Sequence, residues 1–224
     1  MKTLTLIATG SLLALGAAAQ AVTIANWTFE TSVPTTSGPH AAEAGVNAAS
    51  SFASANIAAS GAAFTNPVGN GSAESFSVNN IVIGDYYQFS FSTAGYENIT
   101  FGWDQARSST GAADFSLAVS VDGGTFTTLV PTYTVLQSGG TGAPATWSGT
   151  TYNPIYTFSP AALTGADDSS SVVVRLIANV ASSAATGTGR VDNIIVDGTE
   201  VVPEPATMAI LGLGVAAIAR RKRK

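Results

Sequence analysis

Between residues 22 and 201 the chain has no lysine, and over its whole length it has no cysteine and one histidine. Without cysteine there is no disulfide staple, no thiol nucleophile and no thiolate metal site. The fold must be held by its core, or by a metal on other ligands. A Ser-His-Asp triad would have to use His40, and catalytic zinc usually takes more than one imidazole. His40 ends the Gly/Pro stretch Thr36-Ser37-Gly38-Pro39-His40, where an exposed loop side chain is expected. Residues 22–201 carry only Arg107, Arg175 and Arg190 against eight Asp and five Glu, a net charge of −10. Such a surface is not drawn to nucleic acid phosphates, so no nucleic acid partner is expected. It suits cation binding, or solubility through self-repulsion.

What the middle lacks is concentrated at the ends. Lys2 precedes an apolar run over residues 4–19 and the small-x-small site Ala19-Gln20-Ala21. This is the three-part pattern of a secretory signal peptide over residues 1–21, with a mature chain starting at Val22. At the other end, Pro203 and Pro205 flank Glu204. Proline fixes φ and lacks an N–H, so this stretch is a stiff, extended spacer. The uncharged run over residues 208–219 follows, at ~1.5 Å per residue about 18 Å of helix, short of the ~30 Å hydrocarbon core. Counting from Ala206 and letting Arg220 snorkel brings it closer to spanning. Arg220, Arg221, Lys222, Arg223 and Lys224 close the chain as a stop-transfer cluster. The positive-inside rule keeps them cytoplasmic and places everything upstream outside the inner membrane.

Val202-Pro203-Glu204-Pro205-Ala206-Thr207, the Gly/Ala/Leu-rich run and the basic terminus together resemble the PEP-CTERM protein-sorting signal of Gram-negative bacteria. In that family an exosortase, a membrane transpeptidase-like enzyme, recognises the Pro-Glu-Pro and processes the tail. The resemblance implies the same roles for Pro203, Glu204 and Pro205, and covers residues 202–224 only.

Residues 22–201 have the size of one larger all-β domain. Phe115, Leu117, Val119 and Val121 alternate with Ser116, Ala118, Ser120 and Asp122, and Asp122-Gly123-Gly124 supplies a hairpin turn to a return strand over 126–130. Tyr87, Phe89 and Phe91 alternate in the same way, as do Ile99, Phe101 and Trp103. Residues 22–29, 172–180 and 191–196 read as further strands, with Arg175 on the second. Residues 31–64 read as an irregular excursion with a helical turn, and 138–144 as a Gly-rich loop. About eight to ten short strands with turn signals predict an antiparallel β-sandwich, jelly-roll-like, between a signal helix and a membrane helix.

Three chemistries are open within the domain. Taken at period two, Asp192 shares a face with Ile194 and Val196, where a carboxylate needs a partner or a cation. Glu30, after Phe29 at the end of the first strand, and Asp192 on the last are similar to a pairing in extracellular MAM and carbohydrate-binding-module jelly rolls. That resemblance implies a shared Ca²⁺, a cation that prefers such oxygen ligands. Alternatively Asp192 pairs with Arg190 or Arg175, or accepts backbone N–H bonds. For sugars, Tyr86, out of phase with Tyr87, and Trp147 are the candidate stacking residues, while Trp103 is in phase with the core. Asp104, Asp114, Glu97, Asp167 and Asp168 could supply a hydrolytic pair, but nothing selects one. The expected protein is therefore exported and non-catalytic: a structural component of the cell surface or of an exopolysaccharide matrix. A carbohydrate-binding module, with or without Ca²⁺, is the first alternative and a glycoside hydrolase the second.

Overall fold

The computed structural model describes residues 20–139 and 146–201. Nearly all of the expected signal segment, part of the 138–144 loop, Pro203, Glu204, Pro205, the apolar run and the basic cluster lie outside the described residues. Within them the chain forms twelve strands: β1 (Ala21–Trp27), β2 (His40–Ala41), β3 (Phe52–Asn56), β4 (Phe64–Thr65), β5 (Phe76–Asn79), β6 (Tyr86–Phe91), β7 (Tyr96–Arg107), β8 (Asp114–Val121), β9 (Thr127–Thr134), β10 (Thr157–Ala162), β11 (Val172–Ala178) and β12 (Thr188–Glu200). One sheet, A, has the order β10-β7-β12-β5-β4, with β1 also paired to β12. The other, B, has the order β2-β3-β6-β11-β8-β9. The strand pairings within both sheets are antiparallel. The chain steps between sheets at almost every connection from β5 to β12, which gives the sandwich its jelly-roll character.

The period-two pattern explains which side chains meet between the sheets. Ile99, Phe101 and Trp103 of β7 and Val191, Ile194 and Val196 of β12 are buried against Tyr87, Phe89 and Phe91 of β6 and Val172, Val174 and Leu176 of β11. Aromatic contacts join the layers: Trp27 meets Phe89 at 5.5 Å, and Phe89 meets Phe101 at 5.4 Å. Each such pair adds roughly 0.5–1.5 kcal/mol beyond the area it buries. Tyr87 reaches across the core to donate to the carbonyl of Gly189 (2.9 Å). A Cβ at position 189 would press on the tip of the Ile81 side chain and crowd the Tyr87 hydroxyl, so a larger residue there would require both to shift.

Two local readings are corrected. The 31–64 excursion holds its helical turn, a 3₁₀ turn at Ala48–Ser50, but also contributes β2, β3 and β4. His40 is not an exposed loop residue. It is 7% exposed, packs edge-on against Phe76 at 5.0 Å, and places Nε2 3.0 Å from the Thr36 carbonyl. Pairing of β2 with β3 carries it inward.

Candidate functional site

Asp192 does not share a face with Ile194 and Val196. Asn193, at φ 48°, forms a bulge at which the β12–β7 register shifts. The extra residue keeps Val191, Ile194 and Val196 in the core and turns Asp192 to the outer side of sheet A. There Asp192 lies opposite Asp104 of β7. The loops over 66–75 and 146–156 close over both, and they are 0% and 1% exposed.

Asn70 and Asn193 hold the two acids together. The Asn70 N–H and the Ser72 hydroxyl donate to Asp192 Oδ2 at 2.8 and 2.7 Å, and the Asn193 N–H donates to Oδ1 at 2.8 Å. The Nδ2 groups of Asn70 and Asn193 donate to Asp104 Oδ2 at 2.9 and 2.7 Å. Burial pushes the Asp192 carboxyl up to about 7, against its three hydrogen bonds and with added repulsion from Asp104. Neither Arg190 nor Arg175 pairs with it: Arg190 Nε is buried without a partner among the described residues, and Arg175 bonds Gln88.

Glu30 reaches the same loop, its Oε1 accepting the Glu74 N–H at 2.8 Å. Ser72 Oγ, Asp192 Oδ2 and the Glu74 carbonyl converge beside Gly69, filling the space a Cβ would need. The donor set is all oxygen, with Glu30 and Asp192 as its carboxylates, which is the ligand type a hard cation such as Ca²⁺ takes. Among the described residues no three Asp, Glu, His or Cys side chains gather as a metal cluster, so Ser72 and the Glu74 carbonyl would have to complete the set.

Glu43 is a residue that sequence reasoning missed. One carboxylate oxygen accepts from the Thr28 N–H (2.9 Å) and hydroxyl. The other accepts from the Thr31 N–H, the Thr31 hydroxyl (2.9 Å) and the Ser32 N–H (2.8 Å). Burial would raise its pKa, but these bonds win and hold it at about 2. They fix the turn in which Phe29 takes φ 59° and so aim Glu30 at Glu74.

The second candidate is the outer face of sheet B. Because Val174 and Leu176 point into the core, Arg175 between them points out. In register it stands beside Gln88 of β6 and Ala118 of β8. Its guanidinium carbon lies 4.0 Å from the ring centroid of Tyr86 and 4.0 Å from that of Phe126. Tyr86 comes from the β6 side of β11, and Phe126 from the β8–β9 turn on the other side. That turn is the expected Asp-Gly hairpin, with Asp122 at φ 48° and Gly123 at φ 75°. The Tyr86 hydroxyl accepts from Asn56 Nδ2 at 3.0 Å, and Arg175 Nε donates to Gln88 Oε1 at 2.9 Å.

Trp147 does not join this face. It is 4% exposed, donates Nε1–H to the Val68 carbonyl at 2.6 Å, and packs on Tyr156 and Ala106 over the outer side of sheet A. Its ring faces serve a small second core rather than a ligand. Trp103 is in the main core and stacks on Phe158 at 5.0 Å. Of the surface acids, Asp104 is buried, Glu97, Asp167 and Asp168 are exposed, and Asp114 is half-buried.

At the C-terminus, residues 201–224 match the model of the PEP-CTERM protein-sorting motif. The chain carries the PEP-CTERM sorting motif. No curated protein matches the chain. Among solved structures, the chain is similar to the CBM22-1 xylan-binding domain of Paenibacillus barcinonensis Xyn10C, at 12% identity and TM-score 0.45, over 83% of this chain and 100% of that one. It is similar to the cleaved adhesin domain of Lys-gingipain from Porphyromonas gingivalis, at 16% identity and TM-score 0.43, over 78% of this chain and 98% of that one. It also matches a chain of Clostridium thermocellum xylanase 10B that holds CBM22-1 and GH10 modules, at 14% identity and TM-score 0.44 over 78% of this chain, and spans 28% of that chain. The PEP-CTERM motif and the β-sandwich thus occupy separate parts of the sequence.

Proposed function

We propose that this chain is an exported protein, sorted and processed through its PEP-CTERM tail, whose β-sandwich serves as a non-catalytic component of the cell surface or of an extracellular polysaccharide matrix. The observation that carries this reading is the sorting motif at residues 201–224. The signal pattern over residues 1–21 supports it, since a tail read by a membrane enzyme is useful only on an exported chain. Pro203, Glu204 and Pro205 are recognition residues for the exosortase-type enzyme, and the basic cluster halts translocation. In this reading residues 22–201 form the mature domain. The test is the intact mass and location of the chain in its native host, for wild type and Glu204→Ala. A wild type lacking the residues after Pro205, with the variant full length in the membrane, is the expected outcome. Both chains retaining Arg220 to Lys224 would mean that the tail is only an anchor.

A second reading, carbohydrate binding, is favoured by the outer face of sheet B. The side chains that reach solvent on this face lie on β3, β6 and β11, because Ser116, Ala118 and Ser120 of β8 are buried, and three strands at about 4.8 Å spacing give this strip about 10 Å of width along which a polymer can lie. The face combines the rings of Tyr86, Phe126 and Phe52 with the polar groups of Gln88, Asn56 and Ser54. Flat apolar faces beside hydrogen-bonding groups are what a pyranose chain requires. At the opposite sheet, Glu30, Ser72, Glu74 and Asp192 would hold Ca²⁺, which would neutralise the buried acids and fasten the 69–74 loop.

A further inference from the structure

The three arginines of the domain have different surroundings. Arg107 is spent on backbone carbonyls, donating to those of Val135, Ser108 and Ser109. Arg190 is largely buried, with its Nε unpartnered among the described residues. Arg175 alone stands on the outer face of sheet B, half-buried between its neighbours. Its Nε is committed to Gln88, and among the described residues neither Nη has an acceptor. The aromatic rings of Tyr86 and Phe126 occupy its flanks, so the Nη edge is what remains for a ligand.

We propose that Arg175 is an anion-binding subsite and that the outer face of sheet B takes an acidic polysaccharide, holding the carboxylate of a uronate residue on the Nη edge. The inference rests on the carbohydrate-binding reading and adds the chemical class of the ligand. A guanidinium presents paired N–H groups in the geometry of a carboxylate, and such bonds are about twice as strong as neutral ones. Stacking between two rings fixes the side chain before the ligand arrives, so less rotamer entropy is lost on binding.

The net charge of −10 argues against binding a polyanion, and distance decides the matter. On the β6 side the nearest acid is Asp85, three residues or about 10 Å from the register partner Gln88, but it is buried and spent on the Ala58 and Val82 N–H groups. Along β8 the nearest are Asp114 and Asp122, each four residues from Ala118, the other register partner of Arg175. That is about 13 Å at ~3.3 Å per residue. The Debye length at physiological ionic strength is about 8 Å, so their repulsion is largely screened at the Nη edge. Asp122 also accepts from the Ser170 hydroxyl and the Ser171 N–H, and Asp114 from the Thr134 hydroxyl. The centre of the face, from Ser54 through Gln88 and Arg175 to Ala118, carries no carboxylate.

The experiment is affinity electrophoresis of the full chain in mild detergent against polygalacturonate and against its fully methyl-esterified form, at low and high salt. The two polymers share a backbone and differ only in charge, so the comparison needs no variant to fold. Polygalacturonate should retard the chain at least about ten-fold more strongly than the ester, and added salt should remove the difference. Arg175→Gln should erase the preference, while Arg175→Lys keeps part of it. Equal retardation by both polymers overturns the anionic subsite but leaves carbohydrate binding standing. No retardation by either overturns both. A preference that persists in Arg175→Gln, with an unchanged melting midpoint, places the anion elsewhere and also overturns the proposal.

Discussion

Glu43 accepts five hydrogen bonds on a single carboxylate, and this sets a pH dependence. Its folded pKa, about 2, lies below the ordinary 4.5. A depressed carboxylate contributes stability above the unfolded value and loses it as pH falls through the folded one. Glu43→Gln should therefore unfold more easily at pH 7 by about 1–3 kcal/mol, because an amide cannot accept all five bonds. The gap between the two chains should close as pH drops from about 4.5 to about 2, measured by urea unfolding at each pH. A gap that stays constant means that the charge of Glu43 is not what holds the turn. Asp192 makes the opposite case, a carboxyl pushed up to about 7 by burial. If Ca²⁺ occupies the oxygens beside Gly69, EDTA at pH 8 should lower the melting midpoint of the wild type by about 5–10 °C, the scale expected for losing a ligand held at about a hundred times its Kd. Asp192→Asn should melt at the same temperature with and without chelator. A wild-type midpoint indifferent to EDTA would remove the metal from the site.

At the scale of elements, β12 decides where the buried acids go, and its bulge is the feature least legible in the sequence. Simple alternation from Ile194 puts Asp192 in the core, whereas one extra residue at Asn193 reverses its side. Asparagine tolerates positive φ, and its side chain also bonds Asp104 and the Asn70 carbonyl. Asn193→Val should cost about 2–4 kcal/mol, from backbone strain together with the lost bonds. Asn193→Gly, which loses only the bonds, should cost less; equal costs would show that the backbone angle contributes nothing. The regular strands were readable because their alternation is unbroken: Tyr86 opposite in phase to Tyr87, and Arg175 between Val174 and Leu176. Alanine and serine hid β3, since Phe52-Ala-Ser-Ala-Asn has little strand signature until β6 pairs with it. Trp147 was misread because its cover comes from a loop folding over sheet A, which no local pattern announces. Phe126 gave the reverse difficulty. Its hairpin was plain, but its contact with Arg175 depends on β11 returning between β6 and β8.

For the whole domain, cohesion comes from one aromatic-rich core with no disulfide, and it is opposed by the net charge of −10. Most of those acids have no cationic partner, because Arg107 bonds carbonyls, Arg175 bonds a side-chain amide and stacks on aromatic rings, and the Arg190 Nε is buried without a partner among the described residues. Self-repulsion of this kind destabilises the compact state and is screened by salt. Raising NaCl from 20 to 500 mM at pH 7, with the calcium concentration fixed, should therefore raise the melting midpoint. A gain of about 1 kcal/mol corresponds to roughly 2–4 °C for a domain of this size. The gain should shrink as pH approaches about 4, where exposed carboxylates begin to protonate and the repulsion fades. A salt effect that is equally large at pH 4 would point to a general strengthening of burial, which does not depend on charge. The Arg175→Gln variant sharpens the comparison. It makes the domain more negative by one charge, so its midpoint should rise with salt slightly more steeply than that of the wild type. Its midpoint at high salt should then differ by the lost stacking on Tyr86 and Phe126, about 0.5–1 kcal/mol for an exposed cation–π contact, and by the lost bond to Gln88, about 0.5–1.5 kcal/mol.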